Sequence, residues 1–420
     1  METVSLFPGV TLRCVRDTRF KQGCLSVQMV EKMTAETAPE NALLPSVLLR
    51  GSRGCPDLRA ITARLDELYG GAVSPICRRV GDCQTTGLFL GFMDDRFALP
   101  GDRVLEPTVD FLRELLLEPV TEEGVFRRDY VESEKRNTVS AILADRNDKR
   151  VYAMLRLLKL LCREDSFGIP RLGEPEQVER ITPKTLYRRY QALLKTAPLE
   201  IFYVGSGEPG YVADLLRPVF DLPDRRPGKI PPQTGFRACP GDNVTETLDV
   251  TQGKLCMGFT TPIILRDPRY PAMQVLSTLY GGGMTSKLFR TVREEQSLCY
   301  SIGASYYGTK GILTVSAGID TDQEARTREE ILRQLDLCRR GEISDAELNC
   351  AKEALISSYR AVPDSPGAIE NYFSSAALGG CPETLEEAME GIRGVTADQA
   401  AEAAETVTLH STYFLKGASA

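Results

Sequence analysis

The stretch that decides the fold of this chain runs from Leu279 to Tyr300 and has the sequence LYGGGMTSKLFRTVREEQSLCY. A run of three glycines ends one helical pattern, and a second helical pattern follows over residues 286–296. Apolar and polar residues then alternate from Tyr300 onward, which predicts a strand. The stretch therefore predicts a helix, a glycine turn, a second helix and a strand, with Arg293 late on the second helix.

The pattern around this stretch occurs twice in the chain. Strand pairs that each follow a helix lie at residues 74–92 and 301–317, roughly 225 residues apart, whereas solenoid repeats are only about 20–50 residues long. Between the copies, residues 222–242 hold five prolines and show no helical or strand periodicity, which is typical of a linker. The sequence therefore predicts an N-terminal domain at 1–221, a proline-rich linker at 222–242 and a C-terminal domain at 243–420.

Composition excludes several classes of function. The net charge is −7, from 51 basic and 58 acidic residues, which gives no electrostatic reason to expect nucleic-acid binding. No apolar run approaches the ~20 residues of a membrane helix, and the first residues lack a secretory pattern. The 12 cysteines contain no C-x-x-C pair and are predicted to be reduced thiols. We therefore expect a cytoplasmic protein that contacts neither nucleic acid nor a membrane.

Histidine is nearly absent from the chain, since His410 is the only one. Histidine is the commonest neutral metal ligand and the usual general base near neutral pH. A single histidine so close to the C-terminus cannot form a two-histidine zinc site. We expect His410 to be a strand residue on an exposed or half-buried face, and we assign it no role.

Residues 279–300 resemble the C-terminal-half signature of the pitrilysin-type (insulinase-like, M16) zinc peptidases and their processing-peptidase relatives. The match comprises the glycine turn, a Ser-x-Leu-Phe segment at 286–289, and Arg293 followed seven residues later by Tyr300. Weaker similarities lie at residues 343–348 and 413–417. The resemblance spans both halves and implies an α+β fold of two similar domains, each an antiparallel sheet flanked by helices, in a duplicated metallohydrolase-like arrangement.

Active members of that family carry an inverted zinc motif, H-x-x-E-H, on the first helix of the N-terminal half. When the motif is anchored on the following Gly51-Ser52, the histidine positions fall on Ala42 and Ser46, and the glutamate position falls on Pro45. None of these side chains binds zinc tightly or accepts a proton near pH 7. Pro45 also disfavours helix at the residue before it.

The family's third zinc ligand is also missing from the expected position. A downstream pair of glutamates, seven residues apart, aligns with Glu134 and Ala141, so the ligand position is an alanine. The resemblance therefore implies a chain with no metal, no cofactor and no catalytic residue of its own.

The C-terminal signature has two interpretations that the sequence leaves open. In the family, the residues matching Arg293 and Tyr300 reach the substrate near the scissile bond, where a guanidinium and a phenol can donate hydrogen bonds to a peptide carbonyl or its oxyanion. Alternatively, Arg293 is a solvated helix residue and Tyr300 a packed strand residue. The glycine run, Gly281, Gly282 and Gly283, is either a plain turn between helices or a loop that handles peptide, as the resemblance implies for non-catalytic processing-peptidase subunits.

These features predict the non-catalytic subunit of a heterodimeric M16-type peptidase. An H-x-x-E-H-bearing partner would hydrolyse the peptide substrate, and a homodimer is the assembly left open for the isolated chain. One alternative is a stand-alone peptide-binding or scaffold protein. Another is an enzyme of different chemistry, through Cys299 or through the G-x-G-x-x-G pattern at residues 205–210, although the linker follows where a dinucleotide fold needs a second strand.

Overall fold

The computed structural model describes residues 1–380 and 384–417. The strands that precede the proline-rich segment are β1 (Glu2–Phe7), β2 (Val10–Arg16), β3 (Gln22–Lys32), β4 (Ala72–Val80), β5 (Cys83–Met93), β6 (Thr121–Glu122), β7 (Val125–Phe126) and β8 (Leu199–Gly205). The helices of this half are α1 (Ala38–Leu48), α2 (Leu58–Glu67), α3 (Leu105–Leu117), α4 (Arg128–Asn147), α5 (Lys149–Leu161), α6 (Pro175–Glu179), α7 (Pro183–Thr196) and α8 (Pro209–Phe220).

Residues 221–242 form neither helix nor strand. The strands that follow are β9 (Asn243–Leu248), β10 (Gly253–Thr260), β11 (Ser301–Tyr307), β12 (Ile312–Ile319) and β13 (Thr408–Gly417). The helices of this half are α9 (Tyr270–Gly281), a π-helix (Leu288–Glu295), α10 (Glu324–Arg339), α11 (Asp345–Ala361), α12 (Pro366–Gly379), α13 (Leu385–Gly394) and α14 (Ala397–Glu405).

Two sheets organise these elements and confirm the predicted α+β class. The first sheet has the strand order β1-β2-β8-β3-β5-β4, and the second has the order β11-β12-β10-β13-β9. Each sheet is antiparallel except for one parallel pair, β2 with β8 and β13 with β9. Parallel neighbours need a long crossover connection, and in both pairs most of a chain half separates the two strands. Each sheet therefore departs from the predicted antiparallel arrangement at one strand pair.

The chain forms two compact units that do not follow chain order. Unit 1 comprises residues 1–142, 169–232 and 363–378, and unit 2 comprises residues 143–168, 233–362 and the described residues from 379 onward. The segment with α5 therefore belongs to unit 2, and the segment with α12 belongs to unit 1. The predicted linker at 222–242 separates the two halves along the sequence. Each compact unit nevertheless includes one helix from the other half of the sequence.

Each unit has its own apolar core. In unit 1, Val27 and Leu88 of the sheet pack with helix residues such as Leu43 and Leu112. In unit 2, Met257 belongs to a similar core with residues of α9, α10 and α14. On the second sheet, α5 buries Ala153 and Leu157 against residues of β10 and β13. None of the described helices combines the length and apolar character that crossing a membrane requires.

The helical spacing of apolar residues over 126–162 predicts one long helix, and the structure corrects this prediction. Two helices, α4 and α5, meet at Asp148, whose side chain accepts hydrogen bonds from the backbone N–H groups of Arg150 and Val151. The Arg150 side chain also donates to this carboxylate. Its hydrogen bond and, next, those from the backbone N–H groups lower the pKa of Asp148 to about 2. An aspartate that caps the next helix in this way starts a new helix, although the apolar spacing continues across the break.

Candidate functional site

The positions that the resemblance aligns with the family's zinc motif lie on α1. Ala42 and Pro45 are buried and Ser46 is half-buried, so this face of the helix packs inside unit 1. Neither Ala42 nor Pro45 has a side-chain donor atom for a metal, and Ser46 offers only a neutral hydroxyl.

The helix runs through Pro45 without interruption, contrary to the expectation that the proline would disfavour helix before it. Pro45 has no N–H to bond the carbonyl of Asn41, four residues earlier. The hydroxyl of Thr86, on β5, donates to that carbonyl instead, at 3.1 Å. A side chain from the neighbouring strand thus replaces the missing helical hydrogen bond.

A buried polar network fixes this helix to its surroundings. The amide of Asn41 donates to Gln84 at 3.0 Å and accepts from the Arg189 guanidinium at 2.9 Å. Gln84 in turn donates to the carbonyl of Ala38 at 3.1 Å, and Arg189 also pairs with Glu31. Burial lowers the pKa of Arg189 to about 10. The helix is therefore held by side-chain hydrogen bonds next to the degenerate zinc positions.

The downstream glutamate positions lie on α4. Glu134 is buried, and its carboxylate accepts from Arg50 at 3.3 Å and from Asn137 at 3.1 Å. Ala141 is exposed on the same helix. The one carboxylate retained by the motif is thus engaged by an arginine.

A zinc ion does not fit this donor set. Tetrahedral zinc needs nitrogen, thiolate or carboxylate ligands, and Ala42, Ser46 and Ala141 supply none. Within residues 1–380 and 384–417, no group of three or more histidine, cysteine, aspartate or glutamate side chains is arranged to hold a metal.

Arg293 lies on the π-helix of unit 2. The sequence predicts an ordinary helix here, but the helix widens, and the N–H of Gln296 donates to the carbonyl of Thr291, five residues earlier, at 3.0 Å. The Arg293 guanidinium stacks over the ring of Phe289 at 4.5 Å and lies 3.5 Å from the Glu294 carboxylate. The Arg293 side chain is 40% exposed. It therefore contacts residues of its own helix and is still accessible to solvent.

Tyr300 directly precedes β11 and is also exposed. Ser297 adopts a left-handed backbone conformation that turns the chain out of the π-helix, and the N–H of Tyr300 then donates to Gly318 on β12 at 2.8 Å. The Tyr300 side chain is 58% exposed, which is inconsistent with a packed strand residue. Its phenol donates to the carboxylate of Asp320, with oxygen distances of 3.1 and 3.2 Å.

Asp320 is the residue of this site that sequence reasoning missed. The antiparallel register pairs Ser301 with Gly318, which brings the residues just before β11 next to those just after β12. The predicted strand pair contained that information, but only its register identifies Asp320. Arg293 and Tyr300 are not hydrogen-bonded to each other in the described residues; they lie at the two ends of one short turn.

Cys299 lies between these two residues and does not have the properties of a nucleophile. Burial raises the pKa of its thiol to about 11, although the positive charge of Arg293 acts in the opposite direction. A buried thiol that stays protonated near neutral pH is unreactive.

The three glycines divide into two kinds. A Cβ on Gly281 would lie 2.5 Å from the Cβ of Ala304 and 2.8 Å from its backbone nitrogen, and one on Gly282 would lie 2.6 Å from the Cα of Thr278. A Cβ on Gly283 would meet nothing within 4 Å. The first two glycines therefore allow close packing of α9, and only Gly283 lies in open space.

The G-x-G-x-x-G segment after β8 is closed to phosphate. The N–H of Gly207 donates to the phenol of Tyr203 at 2.8 Å, and that of Ser206 donates to Asp94 at 3.1 Å. Backbone N–H groups that would cradle a phosphate are therefore already bonded. His410 is half-buried on β13, as expected, and its ring contacts Ser411 and the carbonyl of Cys239.

The chain is similar to known proteins over its whole length. Residues 180–355 match the family model described as "Peptidase M16 inactive domain". A Bacillus subtilis protein named "Probable inactive metalloprotease YmfF" is 30% identical over 416 residues, covering 99% of this chain and 98% of that protein. A second B. subtilis protein, the "Uncharacterized zinc protease YmxG", is 32% identical over 119 residues, or 28% of this chain and 29% of that protein.

Solved structures extend the likeness to the whole fold. A conserved protein from Enterococcus faecalis superposes with a TM-score of 0.92 at 27% identity, covering 99% of this chain and 98% of that one. A peptidase M16 inactive domain from Pseudomonas fluorescens superposes with a TM-score of 0.81 at 17% identity, covering 100% and 98% of the two chains, and so shows the fold alone. The chain belongs to the M16 peptidase family, of which it is an inactive homologue.

Proposed function

We propose that this chain is the non-catalytic subunit of a heterodimeric M16-type peptidase and presents Arg293 and Tyr300 to a peptide. The observation that carries the proposal is a contrast between the two halves. The zinc positions on α1 and α4 hold no ligand side chains, whereas both signature side chains of the C-terminal half remain exposed around one turn. A surface that served only packing would bury them.

The missing chemistry comes, in this proposal, from a partner chain with an intact H-x-x-E-H motif. Two features support a divided enzyme. The chain has no residue placed to activate water in the family's position, since Pro45 replaces the glutamate. One bacterium, B. subtilis, also has two relatives, one named an inactive metalloprotease and the other a zinc protease. We further propose a reducing compartment such as the cytoplasm, because the 11 described free cysteines form no disulfide.

Arg293 and Tyr300 suit peptide binding for physical reasons. The guanidinium is always charged and carries five N–H donors, and its stacking on Phe289 limits the freedom it loses when a ligand binds. The phenol lies at the start of a strand whose partner strand fixes its backbone. Gly283, the glycine with open space around it, is the member of the run that we propose lies against the peptide.

The test uses the full chain and the H-x-x-E-H-bearing M16 chain of the same organism. Wild type, Arg293→Ala and Tyr300→Phe are each titrated into that partner, and complex mass and cleavage of fluorescein-labelled casein peptides are measured on the same samples. We expect both variants to assemble normally and to cleave more slowly. For Arg293→Ala the expected loss is roughly 10²–10³-fold, the range for loss of one transition-state donor, with part of the loss in KM where the ground state is also bound.

Two variants serve as matched controls. Arg290→Ala removes an exposed arginine from the same π-helix, and Tyr211→Phe removes an exposed phenol in unit 1. Both should cleave at the wild-type rate. Wild-type cleavage from assembled Arg293 and Tyr300 variants would rule out the substrate role. Peptide binding by the chain with no assembly would instead favour the stand-alone scaffold.

A further inference from the structure

The Tyr300 phenol has only one proton to donate, and the structure shows where that proton is directed. Its hydrogen-bond partners in the described residues are the carboxylate oxygens of Asp320, at 3.1 and 3.2 Å. A carboxylate has no proton and can only accept, so the phenol must be the donor. The pKa of Tyr300 is accordingly raised by this hydrogen bond and by the negative charge of Asp320, with a smaller contribution from Asp322.

A second phenol–carboxylate pair in the same molecule shows that the phenol oxygen of such a pair can accept a hydrogen bond from a backbone N–H group. Tyr69 donates its proton to Asp102, and its oxygen accepts the backbone N–H of Leu99 at 3.1 Å. The aspartate takes the proton, and the lone pairs of the oxygen are then directed to a peptide N–H. In the Tyr300 pair no described residue donates to the phenol oxygen, so the corresponding acceptor position is open to solvent.

We propose that Asp320 is a positioning residue of the peptide site, which holds the Tyr300 proton so that the phenol oxygen accepts a backbone N–H of the peptide. This inference rests on the proposed function and specifies it. It reverses the expected polarity of Tyr300, because a phenol engaged by Asp320 cannot also donate to a peptide carbonyl. Arg293, which only donates, then remains the group suited to the carbonyl side of the peptide.

The polarity can be tested by peptide binding to the full chain. The probe is a fluorescein-labelled β-casein peptide of fixed sequence, measured by fluorescence anisotropy, together with its single backbone N-methyl derivatives. We expect Tyr300→Phe and Asp320→Ala each to weaken binding by roughly five-fold, the value of one ordinary hydrogen bond. The double variant should lose no more than either single variant, because the two side chains act as one unit.

Two further measurements separate positioning from a general structural effect. One N-methyl derivative should bind the wild type roughly five-fold more weakly but bind Tyr300→Phe and Asp320→Ala as well as the parent peptide does. Asp320→Asn, whose carbonyl oxygen can still accept the phenol proton, should retain most of the affinity. The matched control is Tyr69→Phe, which removes the same type of pair from unit 1 and should leave binding unchanged.

The outcomes distinguish this inference from the function on which it rests. Tighter binding by Asp320→Ala would show that Asp320 competes for a proton that Tyr300 gives to the peptide, and would overturn the inference alone. Unchanged binding by Asp320→Ala, with weaker binding by Tyr300→Phe, would also overturn it. No binding of the peptide by the wild-type chain, alone or assembled with the zinc-bearing partner, would overturn the proposed function.

Discussion

The guanidinium of Arg50 lies 3.3 Å from the carboxylate of Glu134. Arg50 follows shortly after α1, the helix that carries the degenerate zinc positions. The resemblance aligns Glu134 with one glutamate of the family's downstream pair, and both side chains are largely shielded from water. An ion pair within the protein therefore engages this carboxylate. Arg50 depends on this contact, because its Nε is buried without a hydrogen-bond partner in the described part of the chain.

Loss of Glu134 should therefore destabilise unit 1. Glu134→Ala leaves the Arg50 guanidinium half-buried and unpaired, and we expect a loss of about 1–3 kcal/mol of unfolding free energy. Arg50→Met should cost at least as much, because it leaves the more deeply buried Glu134 carboxylate without its cation, whereas Arg50 still lies over the Tyr130 ring in Glu134→Ala. Thermal unfolding of both variants under identical conditions gives the comparison. A Glu134→Ala protein as stable as wild type would show that the pair contributes nothing.

The purified chain should contain no stoichiometric zinc. Ala42, Ser46 and Ala141 provide no ligand set for tetrahedral coordination, and adding zinc should not raise the unfolding temperature. Plasma mass spectrometry of the metal content gives the measurement, with an H-x-x-E-H-bearing M16 chain purified in the same way as the positive control. One zinc per chain, lost on substitution within residues 42–46, would contradict the alignment of the motif.

Gly281 and Gly283 should respond differently to the same substitution. Gly281→Ala forces a methyl group to within 2.8 Å of the Ala304 backbone nitrogen and should push α9 away from β11, lowering the unfolding temperature. Gly283→Ala meets nothing within 4 Å and should leave the unfolding temperature unchanged. Equal effects of the two substitutions on thermal unfolding would contradict the division of the run into packed and open glycines.

Arg78 should be essential for the docking of α12 within unit 1. The Glu370 side chain is fully buried, and its carboxylate accepts from Arg78 at 2.9 and 3.1 Å and from Ser26 at 2.7 Å. Arg78→Leu leaves a buried carboxylate without its cation, and we expect a loss of about 3–5 kcal/mol. Breaking the solvated Arg64–Glu67 pair by Arg64→Ala should cost at most about 1 kcal/mol. Thermal unfolding of both variants gives the comparison. A similar loss of stability in Arg78→Leu and Arg64→Ala would show that the buried Arg78–Glu370 pair does not hold α12 in place.

Acid should remove the stabilising effect of Glu246. Desolvation raises the pKa of this carboxyl, but hydrogen bonds from Tyr413 and Tyr152 and the charge of Arg156 outweigh it, and the pKa lies below its ordinary value of 4.5. A carboxyl with a depressed folded-state pKa stabilises the fold above its unfolded-state pKa, and this contribution disappears as the pH falls through the folded-state pKa.

The comparison is between wild type and Glu246→Gln in urea unfolding. We expect the wild type to be the more stable protein at about pH 7. The difference should shrink as the pH falls below the unfolded-state pKa and through the folded-state pKa, because the carboxyl is then protonated in both states. A difference that is constant or grows on acidification would show that the carboxylate charge is not the stabilising feature.

The amino-acid sequence by itself determines the local elements and the family signature. The strand pairs predicted at residues 74–92 and 301–317 correspond to β4 with β5 and to β11 with β12, and the segment 279–300 carries the family signature. These features depend on residues that are close together in the chain, so a window of sequence contains them.

Tertiary structure alone decided which groups meet across the chain. The helix continues through Pro45 because Thr86, 45 residues beyond Asn41, supplies a hydrogen bond. The Glu370 carboxylate meets Ser26, 344 residues away, because α12 crosses into unit 1. Asp320 faces Tyr300 only because β11 and β12 pair in one register. No local periodicity encodes such contacts, since they exist only after the chain has folded and burial has brought complementary polar groups together.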